Sequence, residues 1–272
     1  MPAAQEPHSD TQRCASGPPG WSELYRLIGA IAPGHLFDRV HDDPRTLLFV
    51  TGCQRSGTSW LRKVFGQALA GAAPKELDVC SFLVTGRPPL PDANGAIVLQ
   101  TTFANVYPES FARLPPRVPV VLVARNPYSV CRSLVYNWDS LAIEDAHRRG
   151  DTRVRRLDTD REQWEAATAL YRQSIEAGAR ILADRPASST YLLVYDDFVR
   201  DVPRGLAECG RRVGLPVDPN RVDMPVDAAA STRHLSLPED FRRLIAERCE
   251  APFQHLLTLG GTRMASPAGG RR

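Results

Sequence analysis

The chain has 272 residues, 43% hydrophobic and 24% charged, which excludes a disordered or fibrous polypeptide and suits one α/β domain with an insertion better than two separate domains. A net charge of +3, with 34 basic residues spread along the chain, excludes a protein that wraps nucleic acid but leaves room for a local anion site. The six cysteines form neither a C-x-x-C pair nor the His/Cys spacing of a zinc site, and no run of about 18 apolar residues could span a membrane, so the expectation is a cytoplasmic protein with reduced thiols, no metal and no membrane partner.

Residues 1–20 are rich in Pro, Gly and small polar types and predict an unfolded arm without the basic-then-apolar order of a leader. The domain proper is expected over 21–265, with a flexible tail, SPAGGRR, at 266–272. TLLFVTG (46–52) reads as a buried strand, and Leu61, Val64, Phe65, Ala68 and Leu69 then mark one face of a helix over 58–70. Further strands are predicted at AIVLQ (96–100), VPVVLVA (118–124) and TYLLVY (190–195), and a long helix over about 163–183. Between them, residues 139–161 form a charged stretch without a convincing apolar face, read as a surface insertion or a lid over an acceptor. The alternation predicts an α/β fold of three layers around a central parallel sheet.

The loop GCQRSGTSW (52–60) falls between the first strand and its helix, where phosphate-binding loops lie. Gly52 and Gly57 permit tight turns, and the amides from Ser56 to Ser59 can point at an anion. The spacing nearly matches G-x-x-x-x-G-K-[ST], but Thr58 stands at the lysine position of a nucleotide triphosphatase, and the available cation is Arg55 inside the loop. The strand at 118–124 ends in Arg125-Asn126 rather than the aspartate that would organise Mg²⁺, and Pro127 can start the following helix, which carries Ser133 eight residues after Arg125. These residues leave open an enzyme that moves an anionic group without a P-loop lysine, a P-loop kinase-like phosphotransferase and a non-catalytic nucleotide-binding protein.

GCQRSGTSWL resembles the 5′-phosphosulfate loop of the P-loop sulfotransferases that use 3′-phosphoadenosine 5′-phosphosulfate (PAPS). That resemblance implies that Arg55, Ser56, Gly57, Thr58 and Ser59 hold the 5′-phosphosulfate and that Trp60 approaches the adenine. VVLVARNPYSVCRS (120–133) is similar to the family's second motif, implying that Arg125 and Ser133 bind the 3′ phosphate. YLLVYDDF (191–198) resembles its Tyr-Glu-Asp strand end, implying that Tyr195 lies by the adenine, and Arg233 is a further candidate for the 3′ phosphate. The implied fold is sulfotransferase-like, the products are 3′-phosphoadenosine 5′-phosphate and a sulfated small-molecule or carbohydrate acceptor, and the oligomeric state stays undetermined.

Many members carry Lys-Thr-His after a central strand, with the histidine as base, whereas this chain reads Gln100-Thr101-Thr102. Other branches place a glutamate after the first helix, and Glu76 sits there, nineteen residues beyond Gly57. By that resemblance Arg55 and Glu76 are the catalytic candidates, and His35, His147 and His234 are the alternatives for the base.

Overall fold

The computed structural model describes residues 21–31, 34–41, 43–87, 89–92, 95–102, 107–136, 138–150, 157–225 and 237–261. The chain runs through α1 (Trp21–Gly29), α2 (Asp38–His41), β1 (Leu47–Gly52), α3 (Thr58–Ala68), α4 (Glu76–Thr85), β2 (Ile97–Gln100), α5 (Pro108–Ala112) and β3 (Val120–Ala124). It continues through α6 (Pro127–Val135), α7 (Trp138–Arg148), α8 (Asp160–Asp184), β4 (Thr190–Val194), α9 (Tyr195–Phe198), α10 (Val202–Val213), α11 (Glu239–Ile245), a π-helical turn and α12 (Ala251–Leu259).

Helix boundaries follow local chemistry. Asn126 caps α6 by accepting from the Tyr128 amide at 2.9 Å, with Pro127 in the first turn. Thr159 and Glu162 form a reciprocal capping box at the start of α8. Asp201 caps α10, and Gly214, at φ 68°, ends it.

The strands pair in the order β2-β1-β3-β4, all parallel, with Val50 opposite Gln100 and Gly52 opposite Val123. Every residue of β1, β2 and β3 is buried, as expected for a sheet covered on both faces. Alternate side chains serve opposite layers: Leu48, Val50 and Val121 pack with residues of α3 and α10, whereas Phe49 and Val120 pack with α1, α2 and α4. Because β1 has β2 on one side and β3 on the other, the chain leaves the sheet in opposite directions there. The crevice outside the carboxyl ends of these strands is where ligands bind in open α/β sheets.

The charged stretch at 139–161 does not behave as a surface insertion throughout. Helix α7 buries Leu141, Ala142, Glu144, Asp145 and Ala146, and packs against α6 and α8. Its apolar face is short, and two of the buried side chains are carboxylates, so hydrophobic periodicity gave little sign of it. Residues 151–156 lie outside the described residues.

Arg185 joins the helical layer to the sheet. Only 5% exposed, it donates from Nη1 to the carbonyls of Phe111 (2.6 Å) and Leu114 (3.0 Å), and from Nη2 to that of Val118 (2.7 Å). Its guanidinium therefore satisfies the carbonyls of the turn that feeds β3. Arg185→Ala should lower unfolding stability by about 3–5 kcal/mol, since several buried carbonyls lose their donor together. Urea unfolding within about 1 kcal/mol of the parent would show that water replaces it without cost.

Candidate functional site

Strand β1 delivers the loop 52–57 to the crevice through two tight glycines. At Gly52, φ is 148° and a Cβ would stand 2.4 Å from the Val123 carbonyl oxygen, so the neighbouring strand admits no side chain. At Gly57, φ is 97° and a Cβ would meet the Tyr195 ring at 2.3 Å. Between them Arg55 adopts φ 66°, a left-handed conformation that is costly for an arginine and must be held by its surroundings. Helix α3 then begins at Thr58 without a side-chain cap; the Trp60 amide donates to the Gly57 carbonyl, and the N–H groups of Thr58 and Ser59 are left to an anion or to water.

Two guanidiniums converge on this turn. Arg55 Nε donates to the Ser133 hydroxyl at 3.0 Å, while Arg125 Nη1 donates to the Arg55 carbonyl at 3.2 Å. Ser133 and Arg125, expected to act together, thus meet through Arg55, one at its side chain and the other at its backbone. Burial and, second to it, repulsion from Arg125 push the Arg55 pKa down. Like charges brought together beside an uncapped helix N-terminus mark a place that an anion would relieve.

Arg125 itself is 7% exposed, its guanidinium 4.6 Å from the centre of the Tyr195 ring and 3.8 Å from an oxygen of Asp196. The Tyr171 hydroxyl anchors its backbone by donating to the Arg125 carbonyl at 2.8 Å. Trp60 stands edge-on to Tyr195 and Phe198, with ring centres 6.0 and 6.1 Å apart, and donates from Nε1 to the Pro225 carbonyl at 3.2 Å. Tyr195 is the first residue of α9 rather than the last of β4, so the strand ends one residue before the tyrosine. Arg233 and His234 lie outside the described residues, as does the side chain of His147. His35 is exposed, paired with Asp38 at 2.8 Å and with Arg113 at 3.0 Å.

Glu76 opens its own helix, α4, and its carboxylate reaches the residues that stand in place of Lys-Thr-His. It accepts from Gln100 Nε2 at 2.8 Å, and from both the amide and the hydroxyl of Thr102, the latter at 2.6 Å. The same Gln100 nitrogen lies 3.0 Å from the Ser59 hydroxyl and 3.2 Å from that of Thr58. Gln100 therefore links Glu76 to the first turn of α3, a role the sequence did not suggest beyond the missing lysine. Arg62, one turn into α3, donates to the carbonyls of Ala73 and Pro74, holding the turn that precedes Glu76. Burial lowers the Arg62 pKa, and Glu76 and Asp78 raise it in opposition.

Among the described residues, no group of three His, Cys, Asp or Glu side chains could hold a metal ion, and no helix is long and apolar enough to cross a membrane.

No family model matches the sequence, and no curated protein matches it. Solved structures do match. The sulfotransferase domain from the curacin biosynthetic pathway is 13% identical with a TM-score of 0.51, covering 81% of this chain and 99% of that domain. The sulfotransferase domain from the Synechococcus PCC 7002 olefin synthase is 13% identical with a TM-score of 0.52, covering 83% and 98%. A sulfotransferase from Alicyclobacillus acidocaldarius is 17% identical with a TM-score of 0.50, covering 81% and 97%. At these identities the likeness establishes a shared fold.

Proposed function

We propose that this chain, whose fold is that of sulfotransferase domains, transfers a sulfuryl group from PAPS to a hydroxyl of a small-molecule or carbohydrate acceptor. The observation that carries this reading is the convergence of Arg55 and Arg125 on one strained turn beside the uncapped start of α3. Glu76 is tied to the same helix turn through Gln100. The residues present fit such a donor: two cations for its two anionic ends, an aromatic pair beside them, and Thr58 where a lysine would serve a triphosphate.

When bound, PAPS supplies an activated sulfuryl group attached through oxygen to the 5′ phosphate. Arg55 and the N–H groups of Thr58 and Ser59 would hold that end and would stabilise negative charge on its phosphate oxygens. Arg125 and Ser133 receive the 3′ phosphate, with Trp60 and Tyr195 beside the adenine. Glu76 would take the acceptor's hydroxyl proton as the acceptor oxygen bonded to sulfur, the bond electrons leaving with 3′-phosphoadenosine 5′-phosphate.

Calorimetry separates this function from its rivals. Adenosine 3′,5′-bisphosphate should bind without divalent metal and more tightly than ATP with Mg²⁺. The reverse preference would favour a kinase-like phosphotransferase. Bisphosphate binding with no turnover of labelled PAPS across a broad panel of alcohols, phenols and sugars would favour a non-catalytic nucleotide-binding protein.

A further inference from the structure

A second carboxyl group meets the 52–57 loop from helix α7. Glu144, on α7, is 6% exposed, and its Oε1 accepts a hydrogen bond from the side-chain amide of Gln54. Gln54 directly precedes Arg55, the residue held at φ 66°. Helix α7 packs against α6, which carries the Ser133 that accepts from Arg55 Nε. The strained turn is thus tied at consecutive points: Glu144 at the Gln54 side chain, Ser133 at the Arg55 side chain, and Arg125 at the Arg55 carbonyl. A conformation unfavourable by itself persists when its neighbours over-determine it, and the Glu144 tie comes from an element ninety residues away in sequence.

We propose that Glu144 is a positioning residue of the donor loop, its buried carboxyl holding Gln54 and through it the left-handed turn that presents Arg55. Burial pushes this carboxyl up to about 8, which favours the uncharged form near neutral pH. An uncharged acceptor can hold Gln54 without adding a negative charge to a loop that collects cations. It follows that Glu144→Gln, neutral and of the same shape, keeps an oxygen for the Gln54 amide, whereas Glu144→Ala removes it.

Only the consequence for donor binding rests on the function proposed above; the loop geometry can be tested without any ligand. Hydrogen–deuterium exchange of the peptide covering residues 53–57 in the ligand-free chain should be faster by about tenfold or more in Glu144→Ala and within about threefold of the parent in Glu144→Gln. Gln54→Ala should match Glu144→Ala, and the double variant should show no further increase, because both remove one contact. If exchange in Glu144→Ala equals the parent, if Glu144→Gln loosens the loop as much as Glu144→Ala, or if the two losses add, the inference is overturned. Calorimetry with adenosine 3′,5′-bisphosphate on the same variants should follow the exchange results. Exchange that behaves as stated, in a parent that binds no bisphosphate, would overturn the donor assignment and leave the positioning role of Glu144 standing.

Discussion

Glu76→Gln is expected to lower turnover by about 10²–10⁴-fold while adenosine 3′,5′-bisphosphate binds within about threefold of the parent. The carboxylate accepts from Gln100 and Thr102, and Gln100 in turn reaches the hydroxyls of the first turn of α3. In the glutamine variant one oxygen can still accept from Thr102, and a flipped Gln100 amide can accept from the new nitrogen, so the bridge is kept while the group can no longer accept the proton. The donor contacts proposed for Arg55, Arg125 and the loop amides do not pass through Glu76, which is why affinity should stay. The measurement is single-turnover transfer from labelled PAPS to an identified acceptor, beside calorimetry. Turnover within a few-fold of the parent would remove Glu76 from the mechanism and move attention to His147 and His234, since His35 is committed to Asp38 and Arg113 at the surface.

Arg125→Ala should weaken adenosine 3′,5′-bisphosphate by about 2–4 kcal/mol, the range for truncating one partner of a buried charge pair. Adenosine 5′-phosphate should lose less, about 0.5–1.5 kcal/mol, because it feels only the lost hydrogen bond to the Arg55 carbonyl. The difference between the two ligands isolates the 3′ phosphate from the general loosening of the loop. Burial to 7% exposure and the stacking on Tyr195 keep this guanidinium out of bulk water, where its attraction for a phosphate would be screened. Equal losses for both ligands would show that Arg125 acts only by supporting the loop.

The sheet and the glycine-bounded turn after β1 were legible because their signals are contiguous. Buried strands at 46–52, 96–100, 118–124 and 190–195 have counterparts in β1 to β4, each shorter by a residue or two at its ends. The glycines of the loop were readable too, and the structure supplies their reason in the approach of Val123 and Tyr195. Glu76 was a weaker inference, resting on its distance from Gly57 and on an absent histidine. What places it is the pairing of Val50 with Gln100, which sets β2 beside β1 and brings Gln100 and Thr102 to the start of α4.

Helix α7 and Glu144 were not legible at all. A charged segment with a short apolar face reads as solvated, and only packing against α6 and α8 reveals that two of its carboxylates are inside. The sequence by itself determined the layered α/β order, the anion-ready turn at 52–60 and the cation at the end of β3, because strand alternation, glycine conformations and residue charge are properties of neighbouring residues. Tertiary structure alone decided which distant groups meet that turn, namely Ser133 on Arg55, Gln100 between Glu76 and α3, and Glu144 on Gln54. Those contacts depend on strand order, helix packing and the desolvation that comes with them, and none of these is a property of any one stretch of chain.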